Sequence, residues 1–345
     1  MPNPTLTKAI DAVADGRDLS TDEAGEVLAA IMAGDASEVE IAGFLVGLRT
    51  KGETVEELTG LARTMRSFAT PVNTGRDDLL DTAGTGGGRP TFNVSTTAAI
   101  IAAGAGCAVA KHGNRSATGL SGSADVLEAL GARIDLDPDG VATCIRECGF
   151  GFMFAPAHHA ATRFVVPVRK DLAVRTIFNF LGPLTNPAGA TRQLVGVSDL
   201  RFLDRVAGAL AALGVERALV VSSDDGLDEM STSGTTQVVA IIDGQLERTI
   251  VSPEDVGLSR ISTDLLKGGT PEANAETTRR ILAGEPGAER DLAVLNGGAA
   301  IYAAGVTETL EGGVRAAEAA IDDGAAQRCL ETFAERTRQL AGTPA

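Results

Sequence analysis

Apolar side chains recur every three or four positions along the first part of the chain. The sets are Leu6, Ile10 and Val13; Val27, Leu28, Ile31 and Met32; Ile41, Phe44, Leu45 and Leu48; and Leu58, Leu61 and Met65. That period places each set on one side of a helix. Ser20…Glu23, Ser37…Glu40 and Thr54…Glu57 stand where the last three runs begin, each in capping-box spacing. Gly34 and Gly52 end two of the runs, and Pro71 marks the way out. Helices this short leave an apolar face uncovered, so another segment or another subunit should pack on them.

From Leu79 onward the pattern becomes short apolar run, glycine turn, helix. Strands read at Leu79–Asp81, Ala108–Lys111, Phe152–Phe154, Arg192–Val197, Ala218–Ser222 and Gln237–Ile242. Helices between them, including Thr97–Ala105 and Ala124–Leu130, predict an α/β sheet of mostly parallel strands flanked by helices. Asp243-Gly244 between two apolar runs predicts a hairpin, hence an antiparallel strand. Residues 158–187 interrupt the alternation with a basic, mostly helical stretch that should return to the N-terminal helices. The expected architecture is a small all-helical domain (1–71 and about 170–189) hinged to a larger α/β domain (75–168 and about 190–345). Residues from Thr270 onward read as helical, with Pro271 in a first turn.

Composition narrows the function. The net charge of −16 argues against nucleic acid or an anionic membrane as partner. No apolar stretch is long enough for a membrane span, and the N-terminus has no signal core, so the chain reads as cytosolic. Against an acidic background, Lys111/Arg115 and Arg163/Arg169/Lys170/Arg175 are concentrated cations suited to a phosphorylated or carboxylated ligand. The four cysteines show no metal spacing. Cys144 and Cys148 fall on one helical face, where half-buried apolar roles are the simpler reading.

Two glycine-rich turns carry the chemistry. Gly84-Thr85-Gly86-Gly87-Gly88 follows a strand and leads to Asn93-Val94-Ser95-Thr96, whose amide, hydroxyl and N–H groups open a helix. It is neither a Walker A motif nor a dinucleotide fingerprint, and alone it could be only a structural turn. The second strand delivers Lys111, His112, Gly113, Asn114 and Arg115 into a loop closed by Gly119 to Ser123. Two anion-cradling turns suit a ligand with two phosphate groups. Asp228-Glu229 at a strand's carboxyl end supplies oxygen ligands of the kind Mg²⁺ takes. Asp224-Asp225 reads as an acidic surface turn, and Arg175 as a salt-bridge anchor for its segment.

These residues together resemble a family. GTGG, TFNVST, KHGNRSATGLSGSADVLEALG, PVRKDLAVRTIFNFLGPLTNPAG and LDEMS, in this order and spacing, are similar to the anthranilate phosphoribosyltransferases nearly end to end. The resemblance implies transfer of phosphoribose from 5-phosphoribosyl 1-diphosphate (PRPP) to anthranilate with Mg²⁺, in tryptophan synthesis, by a dimer joined through its helical domains. It implies PRPP contacts at Gly84, Gly87, Gly88, Thr91, Asn93, Val94, Ser95 and Thr96. Further PRPP contacts are implied at Lys111, His112, Gly113, Asn114, Arg115, Ser116, Ala117, Thr118, Gly119 and Ser123. It implies anthranilate contacts at Gly84, Asn114 and Arg169, and Mg²⁺ ligands at Ser95, Asp228 and Glu229. No covalent nucleophile is needed.

One departure stands out. The family usually reads GTGGD with one further residue before the threonine. Here GTGGGRPTFN places Gly88 where the acid would be, shortens the loop and adds Arg89, so an altered metal demand is expected. Two other readings compete. A pyrimidine-nucleoside phosphorylase of the same fold would not need Arg169, and KHGNR with NVST favours the transferase. A relative that binds nucleic acid in its cleft is opposed by the charge and by Asp228-Glu229.

Overall fold

The computed structural model describes residues 1–116 and 119–342. It opens with α1 (Pro4–Ala14), α2 (Thr21–Ala33), α3 (Glu38–Lys51) and α4 (Val55–Ser67). Both reciprocal bonds of the capping box are made at Ser20/Glu23, Ser37/Glu40 and Thr54/Glu57. Each N-cap side chain satisfies an otherwise orphaned N–H and contributes about 1 kcal/mol.

The α/β part then runs β1 (Leu80–Gly84), α5 (Val94–Gly104), β2 (Val109–Gly113), α6 (Ser123–Ala129), α7 (Pro138–Cys148) and β3 (Phe150–Phe154). Short helices α8 (Ala155–His158), α9 (Val166–Leu172) and α10 (Phe178–Leu181) follow. Next come β4 (Arg192–Gly196), α11 (Leu203–Ala212), β5 (Arg217–Ser223), β6 (Thr236–Ile242) and β7 (Gln245–Val251). Helices α12 (Pro271–Leu282), α13 (Ala288–Ala303), α14 (Leu310–Asp322) and α15 (Ala325–Ala341) close the described chain.

The strands form one sheet in the order β3-β2-β1-β4-β5-β6-β7. It is parallel from β3 to β5, and β6 and β7 are antiparallel. The β6–β7 turn is Asp243-Gly244, both at positive φ (50° and 76°), as a two-residue hairpin whose twist matches its strands requires. Chain order runs from β1 outward through β2 to β3, then jumps to the other side of β1 for β4 and β5. The crevice beyond the carboxyl ends of β1 and β4 is therefore a topological switch point, the place where open α/β sheets bind ligands.

Alternation along the strands splits the core. Leu194, Leu219 and Val221 face α5 and the C-terminal helices. Val195, Ala218 and Val220 face the other way, into a cluster shared with α11, with Leu28, Leu45 and Leu58 of the N-terminal helices, and with Val168, Phe178 and Leu184. Residues 165–184 thus cover the apolar side that the short N-terminal helices could not bury among themselves. No helix among the described residues is long and apolar enough to cross a membrane.

Two boundaries differ from expectation. Strands β1 and β2 continue past their apolar runs to Gly84 and Gly113, because backbone pairing with β4 and β3 continues there (Gly84↔Gly196, Gly113↔Phe154). Helix α5 begins at Val94 rather than Thr97, which draws Val94, Ser95 and Thr96 into its first turn.

Candidate active site

At the switch point the first glycine turn wraps around one carboxylate. Gly86 N–H donates to Asp228 Oδ2 at 3.0 Å. Gly86 and Gly87 hold φ of 65° and 78°, a left-handed turn that only glycine adopts without strain. Gly196, at the end of β4, packs so closely that a Cβ there would lie 1.5 Å from the Asp228 carbonyl oxygen. At Gly88 a Cβ would lie 2.5 Å from Asp228 Oδ1 and 2.9 Å from its N. The absence of an acid at position 88 is therefore built into the packing: this position has no space for a side chain.

Ser95, Asp228 and Glu229 share a small cavity with Thr82, Ala83, Leu194, Gly196, Val221 and Asn296. Both residues are half-buried, and desolvation raises the Asp228 pKa against the opposing Gly86 N–H and the Arg175 charge. Glu229 is raised well above the carboxylate range, by desolvation first and by Asp228's charge second. Its Oε2 is buried without a hydrogen-bond partner among the described residues. An unpartnered carboxylate oxygen beside a second carboxylate and a hydroxyl is an all-oxygen donor set, which fits a hard dication such as Mg²⁺. No group of three or more His, Cys, Asp or Glu side chains able to hold a metal occurs among the described residues. A metal here would have to complete its shell from a ligand or water. Asn296 of α13 fixes the acidic pair by accepting from Met230 N–H at 3.0 Å and donating to Met230 O at 2.9 Å.

Lys111, the expected last residue of its strand, and His112, expected in the loop, both lie on β2, and pleating sends their side chains to opposite faces. The Lys111 ammonium is buried, bonded to the Thr82 carbonyl and 3.4 Å from Ser95 Oγ. Burial brings its pKa down to about 8 despite the charges of Asp81 and Glu229. His112 faces the crossing between the helical and α/β parts, with its ring 5.0 Å from that of His159. Desolvation lowers His112 to about 3 and His159 to about 4, so both are neutral at pH 7. Between the two strands, buried Asp81 accepts from His112 N–H at 3.0 Å and Asn186 Nδ2 at 2.8 Å.

Asn93 makes no side-chain cap to α5. Its amide instead donates to Ser121 O (3.1 Å) and accepts from Ser121 Oγ and Asn274 Nδ2 (both 2.9 Å), tying the first turn to the second and to α12. Thr91 bonds the neighbouring Phe92 carbonyl. In the second turn, Arg115 is held by Asp125 at 2.7 Å and Glu128 at 2.6 Å. Ser123 opens α6, its hydroxyl 3.2 Å from Asn114 O, and Gly119 N–H is bound by Ser116 Oγ. Ala117 and Thr118 lie outside the described residues.

Arg169 sits at the end of α9, its guanidinium 5.6 Å from the Phe178 ring centroid. It takes no salt bridge or side-chain hydrogen bond among the described residues, and desolvation lowers its pKa. A half-buried cation without a counter-ion is a ready receptor for a carboxylate.

Two expectations are corrected. Arg175 makes no salt bridge among the described residues; it reaches the first glycine turn, donating to Ser198 Oγ (2.9 Å) and Gly86 O (3.3 Å). Asp224-Asp225 is a turn with Asp224 exposed, as expected, but Asp225 is drawn inward, accepting from Ser231 Oγ at 2.7 Å and pairing with Arg89 at 3.4 Å. Arg89, the added charge, is turned toward that acid and the Thr263 carbonyl. Sequence reading also missed Gly196, Ser198 and Asn296, which act through contacts with residues distant in the chain.

Residues 7–69 match the helical bundle domain of a glycosyl transferase family, and residues 76–327 match its a/b domain. Fold and site thus define a two-domain glycosyl transferase. The anthranilate phosphoribosyltransferase of Rubrobacter xylanophilus is 52% identical over 98% of this chain and 99% of its own length. The crystal structure of the anthranilate phosphoribosyltransferase from Thermus thermophilus superposes with a TM-score of 0.91 at 45% identity, covering 96% of this chain and 99% of that one. The Saccharomyces cerevisiae enzyme in complex with PRPP and Mg superposes with a TM-score of 0.88 at 26% identity, covering 97% and 98%. The chain belongs to the anthranilate phosphoribosyltransferase family.

Proposed function

We propose that this chain transfers the phosphoribosyl group of PRPP to the amine of anthranilate, giving N-(5-phosphoribosyl)anthranilate and diphosphate in tryptophan biosynthesis. The observation that carries the reading is the convergence of Ser95, Asp228 and the orphaned Glu229 oxygen on one cavity beneath the first glycine turn. Full-length relatives with this activity support it.

The first turn, from Gly84, Gly87 and Gly88 through Thr91 to the α5 N-terminus at Asn93–Thr96, receives the diphosphate. The positive end of α5 would face the charge that grows on the leaving group. Lys111 acts from below, orienting Ser95 and adding positive potential. The second turn, from His112 to Gly119 with Ser123, holds the rest of PRPP, and Arg115 must exchange its acids for phosphate to take part. Arg169 grips the anthranilate carboxylate, with Gly84 and Asn114 beside the ring. Ser95, Asp228 and Glu229 would hold Mg²⁺, which when bound neutralises charge on the departing diphosphate. The attacking aryl amine is neutral at pH 7, so no general base is required, and positioning supplies much of the rate.

We place the protein in the cytosol as a homodimer joined through its helical part. Val39 and Val46 of α3, with Val166 and Val174, expose an apolar set on that part, which supports the assignment. Domain limits of 1–71 with about 170–189, and 75–168 with about 190–345, suit a hinge at the two crossings.

The test is to incubate the protein with PRPP, Mg²⁺ and anthranilate and follow the loss of anthranilate fluorescence. Turnover is expected. No turnover, together with phosphorolysis of thymidine, would remove the reading. Varying Mg²⁺ in the same assay reads the altered metal demand expected from Gly88.

A further inference from the structure

Arg175 connects α3 and the segment after α9 to the first glycine turn. Ala173, at φ 50° and ψ 28°, ends α9 in a left-handed turn that a residue with a side chain adopts only under strain. The turn brings the Arg175 backbone carbonyl to Arg49 Nη1 of α3 at 2.8 Å. It also sends the guanidinium across to the first glycine turn. There Nη2 donates to Ser198 Oγ at 2.9 Å and to Gly86 O at 3.3 Å, while Ser198 Oγ donates to the same Gly86 oxygen at 2.8 Å. The other end of that residue, Gly86 N–H, is bound by Asp228 Oδ2. Phe180 supports the guanidinium, 5.5 Å from its ring centroid.

Gly86 is therefore held at its carbonyl from the helical side and at its N–H from the acidic pair. A glycine at positive φ has little preference of its own, so these contacts decide which way its peptide groups point. We propose that Arg175 is a positioning residue. It sets the conformation of the turn that receives the diphosphate and couples that turn to the segment carrying Arg169. The inference rests on the phosphoribosyl-transfer reading, because it assigns the turn to the donor substrate. A mere staple between two parts of the fold would alter stability and leave the affinity of folded protein for PRPP unchanged.

The experiment uses the full-length protein and the variants Arg175→Gln, Arg175→Lys and Ser198→Ala, with KM for each substrate, kcat and Tm measured. Loss of one charge-assisted hydrogen bond predicts that Arg175→Gln raises the PRPP KM about tenfold and lowers kcat, with the anthranilate KM changed by less than about twofold. Arg175→Lys should recover part of the loss, and Ser198→Ala should raise the PRPP KM about threefold. A PRPP KM within about twofold of wild type in the folded variants, or a rise confined to anthranilate, would overturn the inference. Should Arg175→Gln fail to fold, Ser198→Ala and Arg175→Lys decide by the same criterion. A wild-type protein that does not transfer from PRPP at all counts against the functional reading instead, so the two failures are distinct.

Discussion

The two glycine turns of the site are built in opposite ways. The first is assembled from afar: Asp228 follows β5, Gly196 and Ser198 close β4, Arg175 comes from beyond α9, and Arg89 is held by Asp225. The second is assembled mostly locally, apart from the tie of Ser121 to Asn93. Its cation, Arg115, is neutralised by Asp125 and Glu128 on the adjacent α6, and Ser116 and Gly122 N–H groups also bind Asp125. A turn fixed by distant elements keeps its shape when a ligand arrives, whereas one fixed by surface ion pairs must exchange partners. The first turn is thus preorganised, and, if the proposed assignment holds, it is the second, ribose-phosphate turn that rearranges on binding.

The largest expected effect breaks the first turn's chemistry and spares its fold. Asp228→Asn with Glu229→Gln removes the charges of the oxygen donor set. Losing about 4 kcal/mol of transition-state stabilisation would lower kcat/KM roughly a thousandfold. Both carboxylates are penalised by desolvation, and Asp228 further raises Glu229. Neutral amides in their place should leave Tm unchanged or higher. Steady-state kinetics beside a thermal melt checks both halves. Normal turnover at the usual Mg²⁺ requirement would show that this pair holds no metal.

Next in size is Arg169→Ala, which tests whether the acceptor side is separate from both turns. Arg169 has no counter-ion among the described residues, so its loss leaves no protein carboxylate unpaired. The anthranilate KM should rise about tenfold or more with the PRPP KM nearly unchanged, because one bidentate carboxylate contact disappears. A change toward PRPP alone would contradict a grip on the acceptor's carboxylate.

The same contrast explains what was legible in the chain. Helix starts could be read because Ser20/Glu23, Ser37/Glu40 and Thr54/Glu57 act within one turn of sequence. The sheet could be read because buried parallel strands show as continuous apolar runs, such as Ala218–Val221, set between glycine turns. The carboxyl ends of β1 and β2 could not, since pairing carries the chain on beyond its apolar residues, through Lys111 and His112 to Gly113 in β2. Gly196, Ser198, Arg175 and Asn296 were also hidden, because each matters through a partner brought near only by folding. Asp225 looked like surface for the same reason: Arg89 and Ser231 cover it. Motif residues announce a ligand's chemistry, while the residues that orient them show only in the folded chain.

The smallest effect bears on the second turn alone. Glu128 holds Arg115 through both carboxylate oxygens, at 2.6 and 3.0 Å, and the Arg115 side chain is about half exposed (49%). Those bonds, first to Glu128 and then to Asp125, push the Arg115 pKa up, so the ion pair competes with any phosphate for the same cation. Asp125 must stay, because it also binds the loop N–H groups of Ser116 and Gly122. Glu128→Gln removes only the competitor. If the second turn rearranges on binding, this variant should lower the PRPP KM by about two- to fivefold at low salt, the scale of an exposed ion pair. The gain should shrink as salt screens the pair in the wild type. A PRPP KM that instead rises would mean that Glu128 holds Arg115 in its working position. The second turn would then be as preorganised as the first.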